Sequence, residues 1–222
     1  MSYENTGAVV LFSGGQDSAA CLSIAIDTHP EVHTVGFNYG QRNVKELEAA
    51  RKLSEIAGVK THTELDLSVM VQATVSTLLT GDKVLNQPHE LDEEKPAWLV
   101  PGRNHAFLSM AAMVAYKNKC HNIYIGSFGG SACPDNYPRT LEAIEFSLSL
   151  AFDFSFNIVA PFVHAGKKEV VESLNERGRL WWHEIAWSCF EGRDKPCGEC
   201  VPCEHRKHGF AEAGLVDPLL EK

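Results

Sequence analysis

Two groups of residues in this 222-residue chain have types and spacing suited to chemistry. The first is Ser13-Gly14-Gly15-Gln16-Asp17-Ser18, directly after the apolar run Ala8 to Phe12. Paired glycines let a backbone bend sharply, so that successive N–H groups converge on an anion, and Ser13 and Ser18 add hydroxyl donors. A helix starting there contributes its positive end. Asp17 is the odd member, because a carboxylate in a phosphate cradle is repulsive unless it caps the helix or holds Mg²⁺. The hexapeptide lacks the lysine and spacing of a Walker A loop. The plainer alternative is an ordinary strand-to-helix turn capped by Asp17 or Ser18.

The second group is Cys189, Cys197, Cys200 and Cys203: one thiol, an eight-position gap, then two successive Cys-x-x-Cys steps, with Gly198 permitting a tight knuckle. Four thiolates at this spacing suit one tetrahedral Zn²⁺, and with no position left open for water the role is structural. An iron-sulfur cluster is the competing reading. His205 and His208 flank the last cysteine and are expected on the surface of a helix, not as ligands. Cys21, Cys120 and Cys133 are scattered and read as small buried filler.

These groups need a frame. Ala8 to Phe12, Val32 to Tyr39 and Thr61 to Leu67 read as strands, separated by a small-apolar helix ending near Pro30 and an amphipathic one from Asn43 to Ala57 with Glu46 on its wet side. Phe107 to Tyr116, Thr140 to Phe152, Lys167 to Arg177 and Glu204 to Ala213 read as further helices, and Asn122 to Gly126 and Ile158 to Phe162 as further strands. The alternation predicts an α/β fold with an open, mostly parallel twisted sheet and helices on both faces. Gly81 to Pro96 shows no sustained period and reads as a surface loop or lid. Residues 1–186 are expected to form one domain, with 187–222 a small metal-knotted appendage packed on it.

Composition narrows the function. Hydrophobic residues are 44% and charged residues 22%, as in an ordinary globular chain. Twenty Lys and Arg against 29 Asp and Glu give a net charge of −9, opposite to the footprint of a protein held by phosphate backbones, so stable nucleic-acid binding is not expected. No apolar run approaches the roughly 20 residues that cross a bilayer. Seven cysteines, four in one cluster, suit a metal in a reducing compartment, and a cytoplasmic location is expected.

Ser-Gly-Gly-x-Asp-Ser after an N-terminal strand resembles the pyrophosphate loop of N-type ATP pyrophosphatases, which split ATP between the α and β phosphates. With Phe37 to Leu53, Val100-Pro101-Gly102-Arg103-Asn104, His164 to Val171 and Trp187 to Cys203 added, the chain closely resembles the 7-cyano-7-deazaguanine synthase family of that superfamily. The resemblance implies an adenine nucleotide alpha hydrolase-like fold and ATP bound at Phe12, Ser13, Gly14, Gly15, Gln16, Asp17, Ser18, Ala19, Ala20, Cys21 and Leu22, with Mg²⁺. It implies zinc on the four clustered cysteines and usually a homodimer.

The implied reaction converts 7-carboxy-7-deazaguanine and ammonia to the nitrile through an adenylated carboxylate and an amide. Positioning and charge neutralisation supply most of such a rate. Arg103 and Lys167 are candidates for the phosphate or adenylate charge, Gln41 and Asn104 for orienting amides, and Arg42 and Asp135 complete the candidates. Residues 127–137 depart from the family: its acidic Glu-Thr-Asp segment is missing and only Pro134 and Asp135 match. A divergent relative that adenylates a deazapurine acid and joins it to another amine, one on a protein included, is therefore the second reading. Thiolation of tRNA through Cys133 and a zinc-knuckle adaptor without ATP turnover are the remaining ones.

Overall fold

The computed structural model describes residues 6–79, 87–129 and 133–220. Five parallel strands form one sheet: β1 (Ala8–Leu11), β2 (Val32–Asn38), β3 (Thr61–Asp66), β6 (Asn122–Tyr124) and β7 (Asn157–Val159). Their order is β3-β2-β1-β6-β7. The central strand is buried throughout, as expected of a parallel strand covered on both faces.

The period-2 alternation of β1 separates two cores. Val9 and Leu11 point to one face, where α4 (Arg103–Lys117) and α5 (Pro138–Phe152) cover them with Leu108, Ala111, Ala112, Leu141 and Ile144. Ala8, Val10 and Phe12 point to the other, against α1 (Gln16–Thr28), α2 (Lys45–Ile56) and α6 (Lys167–Glu176) through Ala19, Leu22, Ala50, Leu53, Val170 and Leu174. The small residues Ala19, Ala20 and Cys21, each fully buried, let α1 lie close on the sheet. This is the open α/β architecture expected from the alternation.

Three elements differ from the sequence reading. Part of the expected loop or lid is a two-stranded antiparallel ribbon, β4 (Pro88–His89) and β5 (Asp92–Pro96). Residues 80–86 of that stretch lie outside the described residues. Residues 92–96 are mostly exposed on both faces, so hydrophobic alternation has nothing to register there. A short helix, α3 (Met70–Ala73), follows β3. Helix α4 begins four residues earlier than periodicity suggests, at Arg103, which puts Arg103 and Asn104 on its first turn.

The C-terminal segment folds onto the same body. Helix α7 (Val201–Ala213) lies against α6, and the cysteine loop packs Trp187, Cys189, Cys200 and Cys203 on Ala49 of α2. Arg206 anchors it: its guanidinium makes two 2.6 Å bonds to the Asp217 carboxylate and donates to the carbonyl oxygens of His183 (2.6 Å) and Ala186 (2.8 Å).

Candidate active site

Strand order reverses between β1 and β6, so the connections leaving their carboxyl ends diverge and open a cleft, the usual ligand position in such sheets. A cleft of about 420 Å³ lies there. Phe12, Ser13, Gly15, Gln16, Asp17 and Ser18 form one side, and Arg103, Asn104 and Phe107 another. Ser188, Phe190, Val201, Pro202 and His205 bring the cysteine segment in as a third wall.

The loop is tightly packed, with the backbone of its turn facing the cleft. Gly14 has φ +86°, and a Cβ there would lie 2.5 Å from the Ala50 nitrogen and closer still to the Glu46 carbonyl oxygen, so no side chain fits. The Gly15 N–H donates to Ser13 Oγ (3.1 Å), and Ser18 Oγ donates to the Gly15 carbonyl (3.0 Å). Gly15 precedes α1 without a side-chain cap, which leaves first-turn N–H groups for a bound anion. Gly126, two residues past β6, lets the chain leaving that strand approach this turn: a Cβ there would be 2.9 Å from the Ser18 nitrogen. Ala19, Ala20, Cys21 and Leu22, expected with the loop, sit in the core and hold α1 in place. Burial pushes the Cys21 thiol far up, as befits packing and not reactivity.

Lys167, the first residue of α6, reaches across to Asp17, with Nζ 2.5 and 2.6 Å from the two carboxylate oxygens and 4.1 Å from the Phe128 ring centre. Arg103 donates from Nη1 to the Tyr39 hydroxyl (3.3 Å), while its buried Nε has no hydrogen-bond partner among the described residues. The candidate amides are fastened by their neighbours. Gln41 accepts from the Tyr39 N–H (2.8 Å) and donates to the Phe37 carbonyl (3.0 Å), bracing the turn after β2. Asn104 donates to Asn136 Oδ1 (2.6 Å), which also accepts from Ser127 Oγ (2.8 Å).

Asp135 and Arg42 stand behind the cleft and not in its lining. The Asp135 carboxylate accepts from the Asn104 backbone N–H (2.8 Å) and so supplies the start of α4 with a cap from another segment. Arg42 points to Glu191 in the cysteine loop (3.4 Å). Residues 130–132 of the divergent stretch lie outside the described residues; Cys133 and Asn136 from it line the cleft.

Several lining residues escape the sequence reading. Glu46, assigned there to the wet face of α2, turns into the cleft, where burial pushes its carboxyl up to about 8 although Arg103 draws it down. His205 is half-buried against the Phe128 ring (centroids 5.6 Å apart) instead of lying on the surface, and burial lowers its pKa. Aromatic rings supply the apolar surface: Phe37 stacks on Phe107 at 4.2 Å, and Trp98 meets Phe190 at 5.9 Å. Their positions follow strand ends and a cysteine-loop contact far apart in sequence, which no local spacing encodes.

The four clustered sulfurs lie within 4.8 Å of one another. The separations Cys197 to Cys203 (3.9 Å) and Cys189 to Cys200 (4.0 Å) are close to the edge of about 3.8 Å expected for a tetrahedron of sulfurs around Zn²⁺ at about 2.3 Å. Backbone N–H groups of Cys197 and Cys200 point at the sulfurs of Cys189 (3.3 Å) and Cys197 (3.4 Å), the bonds that favour thiolates. The residues present fit the metal. The knot is tied to the phosphate-loop side by the Trp187 N–H, which donates to the Gly14 carbonyl (2.9 Å).

Fold and site together define an open α/β protein with a cleft at the switch point of its sheet, walled on one side by four clustered cysteines that could hold a metal ion. Residues 7–214 match the family model described as queuosine biosynthesis protein QueC, and the chain belongs to that family. It is 37% identical over 221 residues to a 7-cyano-7-deazaguanine synthase of Chromobacterium violaceum, covering 97% of this chain and 93% of the relative. Identity to the synthase of Marinomonas sp. is 35% over 214 residues (96% of each), and to that of Thermoplasma volcanium 34% over 223 residues (96% and 89%).

Proposed function

We propose that the protein is an ATP-dependent ligase forming C–N bonds, which converts 7-carboxy-7-deazaguanine and ammonia to 7-cyano-7-deazaguanine in queuosine biosynthesis. The observation that carries this reading is the meeting of an uncapped helix start, the Lys167 and Asp17 pair and Arg103 in one cleft of a QueC-family chain. A carboxylate is a poor acyl donor, so its oxygen first attacks the α-phosphorus of ATP. The loop N–H groups, Lys167 and Arg103 are placed to spread charge over the phosphates as pyrophosphate departs. The triphosphate gives Lys167 new oxygen partners in place of Asp17. Mg²⁺ entering with ATP supplies charge neutralisation there, and Asp17 is the carboxylate positioned to hold it.

Ammonia then displaces AMP from the acyl carbon and leaves an amide. A second ATP activates the amide oxygen, and loss of AMP with a proton gives the nitrile. The aromatic rings Phe37, Phe107, Trp98 and Phe190 offer faces for the deazapurine and the adenine. Zn²⁺ on Cys189, Cys197, Cys200 and Cys203 holds the third wall in shape. The protein works in the cytoplasm as a homodimer, for which Met113 and Tyr116 on α4 and Phe146 and Leu150 on α5 offer exposed apolar surface. No helix among the described residues is long and apolar enough to cross a membrane.

Incubation with Mg-ATP and 7-carboxy-7-deazaguanine, with and without ammonium, followed by mass spectrometry, tests the reading. Amide and nitrile should form only with ammonium. AMP accumulating with neither product would instead favour a relative that joins the acid to another amine.

A further inference from the structure

We infer that Asn104 presents its side-chain oxygen to the donor edge of the deazapurine ring, the ring N–H and the 2-amino group, and that Ser127 and Asn136 fix it in that orientation. The inference rests on the proposed acid as substrate and deepens that reading by naming what recognises the ring. Ser127 and Asn136 lie in the 127–137 stretch that departs from the family, and Asn104 and Asn136 both line the cleft. Ser127 is fully buried, so its hydroxyl has no water to bond, and it donates to Asn136 Oδ1 at 2.8 Å. The same oxygen accepts from Asn104 Nδ2 at 2.6 Å.

An oxygen that takes two donors draws the NH₂ end of Asn104 toward itself, so the opposite end of that amide, Oδ1, is turned away. Asn104 Oδ1 makes no hydrogen bond among the described residues and is not sealed in protein, so it opens into the cleft. The backbone is held as well: the Asn104 N–H donates to Asp135 (2.8 Å), the residue beside Asn136 in the short 3₁₀ turn Pro134–Asn136. One turn thus clamps Asn104 at two points, and the acceptor is oriented before the ring arrives.

A carbonyl oxygen accepts through two lone pairs and cannot donate. The six-membered ring of 7-deazaguanine carries its ring N–H and its 2-amino group side by side, and one such oxygen can take both. The contact needs no charge, which suits a ring that is itself neutral. Phe107, three residues further along α4, lines the same cleft, so a flat ring resting on the aromatic wall turns an edge to Asn104.

The test compares 7-carboxy-7-deazaguanine with the same acid lacking its 2-amino group. Both are read by exchange of labelled pyrophosphate into Mg-ATP, as a ratio of kcat/KM within each protein, so a general loss of activity cancels. Wild type should favour the parent acid about tenfold or more, equivalent to about 1.4 kcal/mol. Asn104→Ala should bring the ratio near one. Asn136→Leu, which frees the Asn104 amide to turn, should do the same, while Asn136→Asp, an acceptor only, should keep the wild-type ratio whatever its rate. A wild-type ratio below tenfold overturns the inference without any variant. So does a full ratio in Asn104→Ala or Asn136→Leu, or its loss in Asn136→Asp. If Asn104→Ala instead alters the choice between ATP and its analogue lacking the 6-amino group, the ring read is adenine and the inference falls. Wild type without acid-dependent exchange would overturn the proposed function itself, and this inference with it.

Discussion

Asp217→Ala tests how the C-terminal segment keeps the cleft walled. Arg206 and Asp217 are each 6% exposed and share two 2.6 Å bonds, so neither charge has water to fall back on. Removing one partner of such a pair leaves an uncompensated buried charge at about 3 to 5 kcal/mol. For a chain of this size each kcal/mol moves Tm by about 2 to 4 °C, so thermal unfolding should begin roughly 6 to 20 °C lower. The double variant Arg206→Met, Asp217→Leu removes both charges; it leaves the carbonyls of His183 and Ala186 without their donor and, like the single variant, the Leu219 N–H without its acceptor, but no buried charge unpaired, so it should be more stable than Asp217→Ala. Arg206 ties down the residue just before Trp187, whose N–H holds Gly14, so Asp217→Ala should also raise KM for ATP. Circular dichroism melts with bound zinc assayed in parallel give the comparison. A single variant within 1 kcal/mol of wild type, or a double variant less stable than the single, would refute the reasoning.

Gly14→Ala must place a methyl 2.5 Å from the Ala50 nitrogen and hold a left-handed φ, which alone costs an L residue about 1 to 2 kcal/mol. ATP turnover should fall more than tenfold, and normal turnover would contradict the close packing of the loop on α2. Cys200→Ser should lower bound zinc below one per chain and destabilise the third wall; unchanged zinc by elemental analysis would remove Cys200 from the ligand set. His183 is fully buried, and burial, with Arg206 nearby, pushes its pKa down to about 3. The unfolded chain takes up a proton near pH 6.5 that the folded one refuses, so stability is full above that pH and is lost as pH falls toward 3. The slope is about 1.4 kcal/mol per pH unit. Denaturant titrations at pH 7 and 5 should show that loss, and His183→Phe should lack it.

The fold was legible because its signals are local. Residues 8–12 alternate faces of a doubly covered strand, and the glycine pair and cysteine steps carry their geometry in their spacing. Glu46 and His205 were not legible in the same way. Each sits among polar helix residues that are ordinarily solvated, and only the approach of distant elements, the glycine loop to α2 and Phe128 to α7, encloses them. Asp135 reads as a substrate group until the start of α4 is seen to lie within 2.8 Å of it. The ribbon at 88–96 is invisible to periodicity because one strand is two residues long and residues 92–96 of the other are mostly wet on both faces.

The claim on which the account turns is that this cleft opens the α-phosphorus of ATP to a carboxylate oxygen. Wild-type protein should be given Mg-ATP, ammonium and 7-carboxy-7-deazaguanine labelled with ¹⁸O in its carboxyl group, and the nucleotide product analysed by mass spectrometry. AMP and pyrophosphate should form, with the label carried from the carboxyl group into AMP. ADP with inorganic phosphate, or AMP free of label while amide and nitrile form, would contradict it.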